Sequence, residues 1–147
     1  MVAYTDTLGF NKGTADAYLA SGNDQLTVMS VELNFATIIA ARVAAGVSAL
    51  TTSDSLQAVR VPAGSIVLSA GFTVTTVEST NTTGTIVLAD GTVTYATGIA
   101  INATGTSAAN LANPTVYSAA NTLDISFGTA MPTDLVVRAW AVMADVS

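Results

Sequence analysis

Short stretches in which apolar and polar side chains alternate, separated by glycine, proline, asparagine or aspartate, recur along this chain and constrain its fold more than any other feature. A period of two places successive side chains on opposite faces of an extended strand, so each stretch can bury one face and wet the other. Ile66, Leu68, Ala70, Phe72 and Val74 form one such face against Ser65, Val67, Ser69, Gly71 and Thr73. Leu123, Ile125 and Phe127 likewise stand against Thr122, Asp124 and Ser126. From Leu135 to Met143 both faces are largely apolar, with Leu135, Val137, Ala139 and Ala141 on one and Val136, Arg138, Trp140 and Val142 on the other. A strand apolar on both sides is covered on both, either by a second sheet and a loop or by a neighbouring subunit.

Turn signals at Thr52-Ser53-Asp54, Val61-Pro62-Ala63-Gly64, Thr82-Thr83-Gly84, Asp90-Gly91, Asn113-Pro114 and Met131-Pro132 divide the chain into about eight strands. Asp90-Gly91, between Thr85–Leu88 and Val93–Tyr95, reads as a tight hairpin. Threonine, valine, alanine and isoleucine are frequent and Glu and Lys nearly absent, a composition that favours strands over exposed helices. The expected fold is all-β, a single antiparallel β-sandwich of the jelly-roll kind over residues 25–147. Val31 to Val43 fits alternation, while Phe35, Ile38, Ile39 and Arg42 also fit helical spacing; the segment is read as strand. Gly98 to Tyr117, rich in Gly, Ala, Thr and Asn, reads as a long surface loop. Residues 1–24 disperse Tyr4, Leu8, Phe10, Tyr18 and Leu19 among polar residues without a sustained pattern. They read as an extended arm or as a disordered or edge-packed terminus. Extended, such an arm spans about 80 Å, against a radius of gyration of about 15 Å for a folded body of this size.

With 147 residues the chain is one domain plus an arm, long enough to build a core unaided. It has no Cys and no His, which excludes disulfide frameworks, thiolate zinc sites, cysteine nucleophiles and imidazole-based triads. Charged residues make up 10%, against roughly 25% in an average globular protein. The net charge is −6 and the four basic residues, Lys12, Arg42, Arg60 and Arg138, are scattered, so nucleic acid is not an expected partner. Mean hydropathy is +0.56, yet the longest charge-free span, Gly91 to Leu123, is studded with Thr, Asn and Ser, and no membrane-spanning helix is expected. The start, MVAYTDTLGF, lacks the basic and apolar regions of a secretory signal, and the chain is expected to stay in a cytoplasm or leave by lysis.

Paired carboxylates are the one acid/base set available to an enzyme of this composition. Asp24, Asp54, Asp90 and Asp134 each lie beside Gly, Asn, Ser or Thr, where a short carboxylate caps turn amides instead. Asn23-Asp24 and Thr52-Ser53-Asp54 each hold one acid and fall short of a calcium loop. Asn81-Thr82-Thr83 and Asn102-Ala103-Thr104 match the glycosylation triplet without a secretion signal, and no phosphate-binding glycine loop is present. No catalytic residue, metal or cofactor is expected. Trp140 reads as core or as an interface anchor, with Arg138 on the same face stacking on it or pairing with an acid of a neighbour. Arg60 and Arg42 read as guards of sheet edges.

The order VPAGSIVLSAGFTVTTVES from Val61, TIVLADGT from Thr85, a Gly/Ala/Thr stretch, VYSAANTLDISF from Val116 and LVVRAWAVMAD from Leu135 resembles the small jelly-roll capsid cement, or decoration, proteins of tailed bacteriophages. The likeness covers about residues 50–145. It implies a non-enzymatic virion protein, assembled in the host cytoplasm, that binds the major capsid protein on the outer surface of an icosahedral head as a homotrimer and ties capsomers together. The arm residues Tyr4, Leu8, Phe10 and Tyr18, with Arg138 and Trp140, are then the candidate capsid or subunit interface. A tail-fibre or receptor-binding β-domain of a phage is the alternative.

Overall fold

The computed structural model describes residues 26–81, 83–110 and 115–146. Its strands are β1 (Leu26–Asn34), β2 (Ser55–Val61), β3 (Ser65–Thr76), β4 (Thr85–Ala89), β5 (Thr94–Ala100), β6 (Gly105–Asn110), β7 (Asn121–Phe127) and β8 (Val136–Asp145), with one helix, α1 (Phe35–Ala44). β1 pairs with β8, β2 with β7, β3 with β6 and β4 with β5, all antiparallel. The chain is therefore one long hairpin, turned at Asp90-Gly91 and rolled so that its strands fall into two four-stranded sheets ordered β1-β8-β3-β6 and β2-β7-β4-β5. Rolling adds the pairs β3 with β8 and β4 with β7. This is the connectivity of a jelly roll, and the all-β sandwich read from the alternation is the fold. No described helix is long and apolar enough to cross a membrane.

The core lies between the sheets. Val67, Ala70, Phe72 and Val74 of β3 and Val137, Ala139, Ala141 and Met143 of β8 face Ile86, Leu88, Leu123, Ile125 and Phe127 of the other sheet, all nearly free of solvent. The phase of β3 departs from the expectation at its start. A register shift against β8 between Val67 and Ser69 inserts one extra residue, so Val67 turns inward and Leu68 is only half-buried. A bulge reverses the alternation upstream of it, which a strict period of two cannot express.

Two other segments differ from expectation. Strand β1 ends at Asn34 and the stretch read as strand to Val43 is helix from Phe35. Asn34 caps the helix, its Oδ1 accepting from the Thr37 amide at 3.1 Å. The Phe35 amide donates to the Leu135 carbonyl at 3.0 Å, and its ring meets Phe127 edge-on at 5.1 Å. That fully buried ring fixes where extended backbone gives way to helix. Within the stretch read as loop, Gly105–Asn110 forms β6, an edge strand against β3. Its residues, Gly-Thr-Ser-Ala-Ala-Asn, carry no alternation of hydropathy; Ser107 and Ala108 lie tight against Gly71. The Asp90-Gly91 hairpin is present, with Gly91 at φ 91° and the Asp90 amide donating to the Val93 carbonyl at 3.1 Å.

Candidate interaction face and the loops that brace it

Pairing register determines which side chains share the outer face of the β1-β8-β3-β6 sheet. Leu26, Val28, Ser30 and Glu32 of β1 stand opposite Ala144, Val142, Trp140 and Arg138 of β8. Ser69, Gly71 and Thr73 of β3 continue the rows beyond Val142, Trp140 and Arg138, and Ala108 and Thr106 of β6 extend those of Gly71 and Thr73. Leu26 and Val28 are 69% and 71% exposed, while Trp140 and Val142 are half-buried. The second apolar face that the sequence shows in β8 is thus an outer surface, and among the described residues no layer covers it.

Trp140 sits on that surface and not among the core residues. Its indole lies over Gly71, its direct cross-strand partner. A Cβ at Gly71 would come within 2.8 Å of the Trp140 ring, 2.8 Å of Ala108 Cβ and 2.4 Å of the Ser107 carbonyl oxygen. Glycine at 71 and a small residue at 108 therefore leave room for the ring, an aromatic filling the space over a strand glycine. Arg138 donates to Glu32 of its own chain at 3.0 Å across β8 and β1. Within the chain its acid partner is thus Glu32, and both side chains are exposed. Tyr4, Leu8, Phe10 and Tyr18 lie outside the described residues, as does Asp24.

Four carboxylates, those of Asp54, Glu78, Asp90 and Asp134, brace loops. Asp54 accepts from the Thr51 amide at 2.7 Å, which holds its carboxyl below the ordinary value. Arg42, on α1 and not at a sheet edge, donates to the Ser48 carbonyl at 3.0 Å through Nε and closes the helix end; Arg60 does lie on the edge strand β2. Asp90 Oδ1 accepts from the Thr92 and Val93 amides at 2.8 and 2.7 Å, and Oδ2 from the hydroxyls of Tyr95 and Tyr117. Burial acts to raise the Asp90 carboxyl, but the Tyr117 hydroxyl and the turn amides outweigh it and hold it low. Burial and the neighbouring carboxylate push both phenols above their usual range.

The best-braced group is one that sequence reasoning passed over. Glu78, 2% exposed, follows β3 and accepts five hydrogen bonds. Oε1 takes the Thr133 hydroxyl at 2.7 Å and the Thr80 and Asn81 amides at 3.2 and 3.3 Å; Oε2 takes the Thr133 and Asp134 amides at 2.6 and 3.0 Å. Asp134 reciprocates, accepting from the amide and the hydroxyl of Ser79. Two loops at one end of the sandwich are thereby clamped to each other. Burial raises the Glu78 carboxyl, yet the hydrogen bonds led by Thr133 bring it from 4.5 down to about 2. The sequence signal is faint: Glu78 is the one acid followed directly by Ser-Thr-Asn. Among the described residues no group of three or more His, Cys, Asp or Glu is placed to hold a metal ion.

No protein-family model matches the chain, and no curated protein does. Solved structures do. The chain is similar to one in the acidic stable capsid structure of Helicobacter pylori bacteriophage KHP30, with a TM-score of 0.56 and 11% identity over 85% of this chain and 91% of that one. It is also similar to one in the capsid asymmetric unit of cyanophage Pam1, with a TM-score of 0.55 and 18% identity over 83% of this chain and 86% of that one. At such identities the likeness is one of fold: this chain has the fold of chains found in two phage capsid structures.

Proposed function

We propose that the protein is a non-enzymatic structural component of a bacteriophage virion, a cement or decoration protein that binds the major capsid protein on the outside of the head as a homotrimer. The observation that carries this reading is the match of a complete jelly roll, over more than four-fifths of both chains, to chains of two phage capsid structures. The sequence resemblance points the same way independently. An open, partly apolar sheet face around Trp140 supports a role in contacts and not in chemistry. On this reading residues 1–24 form an arm that reaches a neighbouring molecule through Tyr4, Leu8, Phe10 and Tyr18, and modest contacts per subunit are multiplied over the shell.

The test is the copy number of this polypeptide relative to the major capsid protein in purified particles, by quantitative mass spectrometry. Copies comparable to the shell protein are expected. A handful per particle would place the protein in the tail, and absence from particles would refute the virion assignment.

A further inference from the structure

We propose that the outer face of the β1-β8-β3-β6 sheet docks a second copy of this chain, with Leu26, Val28, Trp140 and Val142 at the centre of the contact. The inference rests on the virion reading in so far as that reading proposes an oligomer, and it names the surface through which the oligomer forms.

Electrostatics selects a copy as the occupant. The molecule carries a net charge of −6, so two copies repel over most of their surfaces. Among the described outward positions of this sheet the charged residues are Glu32 and Arg138, which neutralise each other at 3.0 Å. The remaining outward positions are apolar, Ser, Thr, Asn or Gly. Apolar, neutral surface against its own duplicate involves no charge repulsion and removes Leu26 and Val28 from water. The outer face of the other sheet is unlike it: β2 and β7 present Ser55, Gln57, Arg60, Thr122, Asp124 and Ser126 there, with Asp124 accepting from Ser55 and Thr122.

The bordering strand points the same way. Natural sheets guard their edges with bulges, charges or coverage. β2 carries a register shift at Gln57/Val59, and the β4–β5 pair carries two. β6 is tied to β5 by Ser107 Oγ donating to the Thr97 carbonyl at 2.9 Å. β1 alone among these edges runs nine residues in unbroken register with a single charge and no proline. Among the described residues this long, regular edge adjoins an open apolar face, and one occupant can cover both.

Trp140 is the one tryptophan of the chain, so its emission reports on this face. The experiment is sedimentation velocity of the full-length protein, without capsids, over a dilution series, with tryptophan emission recorded on the same samples. The expected result is a mass above that of the monomer that falls on dilution, with emission moving to longer wavelength in step. Val28→Asp is expected to raise the dissociation constant at least about tenfold. Gln57→Glu, which adds the same charge to the opposite outer face, is expected to leave it unchanged. Should Val28→Asp lower the melting temperature, Leu26→Gln takes its place. A monomer at every concentration overturns the proposal; so does an oligomer whose emission ignores dilution, or one weakened equally by both substitutions. Particle binding is scored separately. Self-association without particle binding defeats the virion reading alone, and particle binding by a strict monomer defeats this inference alone.

Discussion

Replacing Glu78 by Gln keeps the shape of the clamp and removes its charge. One carboxylate oxygen becomes an amide nitrogen, a donor. It does least harm at the Oε2 position, where it confronts the amides of Thr133 and Asp134 and leaves the three partners of Oε1 in place. Two part-buried donors lose their acceptor, at about 1–3 kcal/mol each when no water replaces it. The ionisation shift gives a second measure: a fall from 4.5 to about 2 corresponds to about 3 kcal/mol of stability from the charged form. The two measures count the same interactions, so about 3 kcal/mol is expected, a drop of about 6–12 °C in melting temperature for a domain of this size. The folded carboxyl lies below its unfolded value. Its contribution is therefore complete above pH 4.5 and lost as pH falls toward 2. Thermal unfolding followed by circular dichroism at pH 7, 4 and 2.5 should show the gap between wild type and Glu78→Gln widest at pH 7 and narrowing steadily with acid. A gap under about 2 °C at pH 7, or one that does not change with pH, would refute the clamp.

Three further outcomes are expected. Gly71→Ala drives a methyl into the Ser107 carbonyl and the Trp140 ring and should cost about 1–3 kcal/mol by overpacking, with a shift in Trp140 emission; unchanged melting and emission would show that the indole does not lie there. Of the four tyrosines, Tyr95 and Tyr117 share Asp90 and are pushed up in pKa. An alkaline absorbance titration of the folded protein should leave these two phenols protonated through the range where ordinary tyrosines ionise, and Asp90→Asn should lower their pKa values while the part due to burial remains; four phenols titrating together in the wild type would contradict the cluster. Deleting residues 1–24 should leave a soluble, folded oligomer that no longer binds capsids, scored by cosedimentation with particles; undiminished occupancy would rule out the arm.

Much of this architecture is legible without coordinates, for a local reason. Alternation and turn residues act within a few positions, so Leu123 to Phe127 and the Asp90-Gly91 hairpin carry their own instructions. The failures fall where a distant contact outweighs a local pattern. Val31 to Val43 supports both strand and helix; the burial of Phe35 against Phe127, 92 positions along the chain, settles it in favour of helix from residue 35. β6 has no pattern of its own and is defined by its pairing with β3, where Ser107 and Ala108 lie tight against Gly71. Glu78 resembles any polar residue after a strand until Thr133 and Asp134 arrive from the far end of the chain to donate to it.

The candidate face divides in the same way. The sequence by itself determined that the last strand is apolar on both sides, that Arg138 and Trp140 share a side, and that four basic residues stand against ten acidic ones. Those properties follow from composition and period alone. Which side of the strand meets the core, and what stands beside Trp140 and Arg138, was decided by tertiary pairing, because the roll brings β1 and β3 to the two edges of β8. Register then set Gly71 beneath the indole, Glu32 beside the guanidinium, and Leu26 and Val28 in the open at the rim.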